Sequence, residues 1–177
     1  MTKGIETYTI SFKGLKEGEH TFEFVISDAL FESFEEEEIH NVACKARVKL
    51  IKKSTLLELF VAIEGSLQVP CDRCLDPLRI PIDFEGDLYI TFSERDGAES
   101  AELWVLDPAD HEVDLKNYFY ESLRISLPLQ RIHPDDEEGY STCNQEMLRR
   151  LEEHQQTDDT EEHIDPRWSE LKKLMGN

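Results

Sequence analysis

Long apolar runs are missing from these 177 residues. None approaches the roughly 20 residues that a membrane-crossing helix needs. The opening Met1-Thr2-Lys3-Gly4-Ile5 lacks the apolar stretch of a secretory signal, so a cytoplasmic protein is expected. Positive charge is scarce: 19 Lys and Arg stand against 39 Asp and Glu, a formal charge of -20. A uniformly acidic surface repels phosphate backbones, so any nucleic-acid contact requires a local basic region, and DNA is not an expected partner. Glycines are few and isolated, which excludes a Gly-rich phosphate loop. Acid pairs such as Asp135-Asp136 lie in polar runs with no apolar setting to raise a pKa, which argues against catalytic carboxylates. Cysteines number four. In a reducing compartment these are thiols or metal ligands more often than structural disulfides.

What is present is a period of two. Tyr8, Ile10 and Phe12 share one face, and Phe22, Phe24 and Ile26 repeat the pattern after a turn-like Lys16-Glu17-Gly18-Glu19. This predicts two strands forming a hairpin. Asp28 to Phe34 suits a short helix or a loop, and Glu35 to Glu38 a solvated acidic run. Val42, Cys44, Ala46, Val48 and Leu50 make the clearest strand face, with Cys44 as a small core hydrophobe. Leu57, Leu59, Val61 and Ile63 follow, then Leu78, Ile80, Ile82 and Phe84, then Leu88, Ile90 and Phe92. Short turns between these segments favour antiparallel pairing.

After Phe92 the chain turns acidic, with one apolar island at Trp104-Val105-Leu106. Asp114 offers an N-cap, and apolar residues recur at helical spacing from Leu115 until Pro128, predicting one amphipathic helix over 115–127. Residues 144–154 suit a second helix and 155–165 a linker. Asp165-Pro166 opens a last helix carrying Trp168, Leu171 and Leu174. The expected class is therefore α+β: a mainly antiparallel sheet or open barrel, one packed amphipathic helix and a C-terminal helical tail. The expected division is a β-rich domain over 1–143 and an acidic linker with its helix over 144–177.

The chemistry centres on Cys71-Asp72-Arg73-Cys74, at the tip of an expected hairpin between Val69-Pro70 and Asp76-Pro77. Two thiols at this spacing are half of a zinc site, a redox dithiol or a disulfide. A redox role is disfavoured, because such motifs open a helix in a βαβ unit rather than joining antiparallel strands. With His133 and Cys143 the pair makes an acceptable tetrahedral zinc set; plain thiols are the alternative. Lys45, Arg47, Lys49, Lys52 and Lys53 form a basic strip with no acid between residues 40 and 53. By contrast, residues 93–165 hold 21 acids and 6 bases. The strip is a candidate RNA contact, as is Arg73 of the CxxC turn, or else an ordinary solvated strand face. No aromatics are interleaved with its lysines, so a base-stacking platform is not expected.

Three segments stand in a definite order. They are Val69-Pro70-Cys71-Asp72-Arg73-Cys74-Leu75-Asp76-Pro77, then Val113-Asp114-Leu115 running to Leu127-Pro128-Leu129 and His133, then Cys143. The set resembles the bacterial YceD family, the large ribosomal RNA subunit accumulation proteins, over roughly residues 65–143. Asp165-Pro166-Arg167-Trp168 with Leu171-Lys172-Lys173-Leu174 resembles a tail of that family. The resemblance implies a non-enzymatic ribosome-biogenesis role in accumulation or processing of large-subunit ribosomal RNA, through that RNA or a basic ribosomal protein. Some relatives carry a second cysteine pair after the His; here Cys143 stands alone, followed by Asn144-Gln145-Glu146. A zinc- or thiol-dependent enzyme built on Cys71 and Cys74 is the other class, and it lacks a convincing base.

Overall fold

The structure is a computed structural model, and it describes residues 7–93 and 103–155. The chain divides into two compact units, Met1–Ile132 and His133–Asn177. The expected linker beyond residue 155 and the Trp168 helix lie outside the described residues.

The first unit is built on a five-stranded open sheet in the order β2-β3-β4-β5-β6. Its strands are β2 (Gly18–Ile26), β3 (His40–Lys52), β4 (Leu56–Pro70), β5 (Pro77–Phe92) and β6 (Leu103–Leu106). Pairing from β2 to β5 is antiparallel, and β6 joins β5 in parallel. Strict alternation is what makes β3 a strand with one wet face: Val42, Cys44, Ala46, Val48 and Leu50 are buried while Lys45, Arg47 and Lys49 are exposed. β4 and β5 bury Leu59, Val61, Ile63, Ile82, Leu88 and Ile90 on the same side.

That side is covered by α2 (Lys116–Ile125), which buries Tyr118, Phe119 and Leu123. The N-cap position falls on Leu115, one residue later than the expected Asp114, whose carboxylate still accepts the Lys116 N–H at 2.8 Å. Gly86 makes room for this helix: a Cβ there would stand 2.7 Å from the Tyr118 hydroxyl. The short α1 (Asp28–Glu32) buries Leu30 and Phe31.

Two expectations need correction. β1 (Thr9–Ser11) does not pair with β2; it pairs antiparallel with β7 (Glu112–Asp114) in a separate two-stranded sheet, with Ile10 opposite Val113. Alternation fixes which face of a strand is apolar but not which strand lies beside it. The acidic run is also not uniformly solvated. The Glu36 side chain, 14 % exposed, pairs with Arg124 and accepts from the Tyr120 hydroxyl at 3.4 Å.

The second unit, as described, holds an isolated bridge between Asp135 and Ser141 and the helix α3 (Gln145–Gln155). Asn144 begins that helix by accepting from the Glu146 N–H at 3.1 Å.

Candidate metal centre

β4 and β5 pair to their last residues, Pro70 opposite Pro77, so Cys71 to Asp76 form the hairpin tip. The loop is closed by the Cys71 N–H on the Asp76 carbonyl and the Leu75 N–H on the Cys71 carbonyl, both 2.9 Å. Leu75 takes a left-handed backbone, φ 64°, to complete this turn. The Arg73 N–H donates to Cys71 Sγ at 3.5 Å. Cys71 and Cys74 are both buried.

Asp72 ties residue 131 to this loop. Its N–H donates to the Arg131 carbonyl, and its carboxylate accepts the Arg131 N–H, both at 2.7 Å. The Arg131 guanidinium adds Nε at 3.1 Å and Nη2 at 3.0 Å to Oδ1. Hydrogen bonding from the Arg131 backbone, with its charge beside it, holds the Asp72 carboxyl below the usual carboxylate range. Neither residue was singled out from the sequence. The only signal was an Asp inside the CxxC turn, and its partner lies 59 positions away.

His133 follows two residues after Arg131. Its Nδ1 lies 3.8 Å from Cys143 Sγ. The ligand atoms of Cys71, Cys74, His133 and Cys143 all lie within 4.8 Å of one another. Tetrahedral zinc with bonds of about 2.3 Å to sulfur sets its ligands about 3.8 Å apart, so the set is close enough to hold a metal, and its soft sulfur and imidazole donors suit zinc. Four protein ligands would close such a site and leave no position for a substrate. Cys44 stays out of this group. It sits in the core, its thiol donates to the Ser66 carbonyl at 3.6 Å, and burial pushes its pKa up.

The basic strip is less free than its sequence implied. Lys49 pairs with Glu19 at 3.0 Å, Arg47 with Glu23 at 3.5 Å, and Lys53 with Glu58. Lys52 is turned to structural use, donating to the Phe12 and Leu15 carbonyls at 2.8 and 2.9 Å. Lys45 makes no ion pair among the described residues, although Glu64 is its cross-strand neighbour. Arg73 is exposed on the CxxC turn. The acids that offset the strip come from neighbouring strands and were invisible in the 40–53 window.

The fold and the cluster together define an α+β protein with an open, mostly antiparallel sheet and a thiol–imidazole group at a hairpin tip. Residues 59–175 match the family model described as large ribosomal RNA subunit accumulation protein YceD. The chain therefore belongs to the YceD family, whose name implies a role in accumulating the large-subunit ribosomal RNA. No curated protein and no solved structure matches it. Among the described residues no helix is long and apolar enough to cross a membrane.

Proposed function

We propose that this chain is a non-enzymatic ribosome-biogenesis factor of the cytoplasm. It supports accumulation and processing of large-subunit ribosomal RNA by binding that RNA or a basic ribosomal protein. The observation that carries this is the family match over residues 59–175. Two features support the absence of catalysis. The Cys71, Cys74, His133 and Cys143 set offers four ligands, which suits a structural zinc rather than a Lewis acid with an open position. Among the described residues, the Cys44 thiol is buried in the core and the Asp72 carboxylate is held by Arg131, so neither is poised as a base.

Partner and mode of binding are tested together. Purified protein is titrated with large-subunit ribosomal RNA and with basic ribosomal proteins across a salt series. RNA binding that weakens with salt, without RNA cleavage, is the expected outcome. Cleavage that tracks the protein through purification and disappears in Cys71→Ser would overturn the non-enzymatic proposal.

A further inference from the structure

Near the CxxC end of the sheet, the outer face changes character. His40, Gln68 and Arg79 lie in one cross-strand row over β3, β4 and β5. Between His40 and Ala43 the β3–β4 register slips, and Asn41 takes a left-handed backbone, φ 49°. Bulges of this kind re-aim side chains, and strained residues concentrate at functional sites. Here they border a cleft of about 480 Å³ lined by Asp28, Asn41, Val42, Ala43, Gln68 and Arg79.

The polar groups of this cleft are only half used. Asn41 Nδ2 donates to Gln68 Oε1, which leaves the Asn41 carbonyl oxygen and the Gln68 amino group. Arg79 places Nε and Nη2 on the Ser66 hydroxyl, at 3.0 and 2.7 Å, which leaves Nη1. No carboxylate pairs with Arg79 among the described residues; in the strip Arg47, Lys49 and Lys53 each have one and only Lys45, of those on the outer face, does not. Asp28 Oδ1 accepts the Val42 N–H at 2.7 Å, leaving its second oxygen. The cleft thus offers donors and acceptors side by side, with a guanidinium at its rim. A bare phosphate or carboxylate needs donors only. A nucleobase edge needs both, and its phosphate needs the cation.

The geometry points to this cleft, rather than the Lys45–Lys53 strip, as the place where an unpaired RNA nucleotide is held. The Asn41 and Gln68 amides meet the base edge, and Arg79 meets a phosphate. Recognition of splayed, unpaired bases is the usual route to RNA specificity. It also lets a chain of charge -20 bind RNA locally, through one unpaired cation and neutral amides. The inference rests on the RNA-binding form of the proposed function.

The test is fluorescence anisotropy with the full-length protein and a short, unstructured, mixed-sequence single-stranded RNA, with its duplex form in parallel. Circular dichroism melts confirm that each variant folds. Wild type is expected to prefer the single strand. Gln68→Ala should weaken binding about tenfold with the salt slope unchanged, because it removes a base contact. Arg79→Gln should weaken it and flatten the slope by about 1, because it removes a phosphate contact. The combined Lys45→Ala, Arg47→Ala, Lys49→Ala, Lys53→Ala variant should bind nearly as wild type. If that quadruple variant loses binding while Gln68→Ala and Arg79→Gln keep it, the cleft is wrong and RNA binding stands. If wild type binds no RNA even at low salt, RNA binding itself fails. If polyglutamate displaces the RNA and binds equally well, the cleft is an anion site and the base-reading inference is overturned.

Discussion

At the scale of single residues, close approach and local hydrogen bonds decide more than side-chain type. Gly65 lies opposite Cys44 with φ 151°, and a Cβ there would stand 2.3 Å from the Ala43 carbonyl oxygen. Backbone cannot yield that far cheaply, so Gly65→Ala should destabilise the fold by about 1–3 kcal/mol; chemical denaturation measures it. Asp72 joins the loop of Cys71 to Arg131 through backbone and carboxylate together. Its side chain is 35 % exposed, so the ion pair alone is worth little. What Asp72→Ala removes is the carboxylate that accepts the Arg131 N–H; the bond from the residue 72 N–H to the Arg131 carbonyl survives. The expected cost is about 1 kcal/mol in stability, with zinc affinity lowered about tenfold, read by competition with a chelator. Cys44 gives the pH dependence. Its folded pKa is raised, so its contribution to stability is intact below its ordinary value of 9.0. As pH climbs past that value the unfolded thiol ionises while the buried one does not, and the contribution is lost through the folded pKa. Cys44→Ala should therefore lose less stability than wild type between neutral and strongly alkaline pH; an equal loss in both proteins would show that the thiol plays no part.

Elements were legible in the sequence where one face is buried and the other wet. β3 announces itself because Val42 to Leu50 alternate with Lys45, Arg47 and Lys49, and the structure buries the first set only. α2 was legible from spacing, and its packing explains why: Phe119 is fully buried, edge-on to Tyr8 at 5.6 Å between ring centres. Phe119→Ala should cost about 3–5 kcal/mol, seen as a lower thermal midpoint. A shift of under a degree would mean that the helix contributes little to the core. Pairing partners were not legible. Ile10 pairs with Val113, far along the chain, and no local pattern encodes that neighbour. The partners of the β3 charges were not legible for the same reason, since Glu19 and Glu23 answer Lys49 and Arg47 from another strand. The CxxC spacing was visible at once because two ligands on one turn are a local property. The cleft of Asn41, Gln68 and Arg79 was not, because three strands contribute to it.

At the scale of the whole chain, acidity and the cysteine–histidine cluster bear on one another. An excess of 20 negative charges opposes compaction, and a bound dication with three thiolates adds tight local order at little net charge. Zinc bound to Cys71, Cys74, His133 and Cys143 is therefore expected to be part of the folded state rather than an accessory to it. Native, untagged protein should contain about one zinc per chain. Removing it with a chelator should lower the thermal midpoint, and returning it should restore that midpoint, because metal binding and folding are the same free energy in such sites. Cys71→Ser and Cys143→Ser should each lose the metal and the chelator effect together. Cys44→Ala is the control, since its thiol lies in the core and outside the cluster; it should keep zinc in full. If the protein as isolated holds no zinc, takes none up, and melts identically with and without chelator, the four residues are plain thiols and an imidazole that happen to meet. The ribosomal RNA proposal would survive that result, because it rests on the family match and not on the metal.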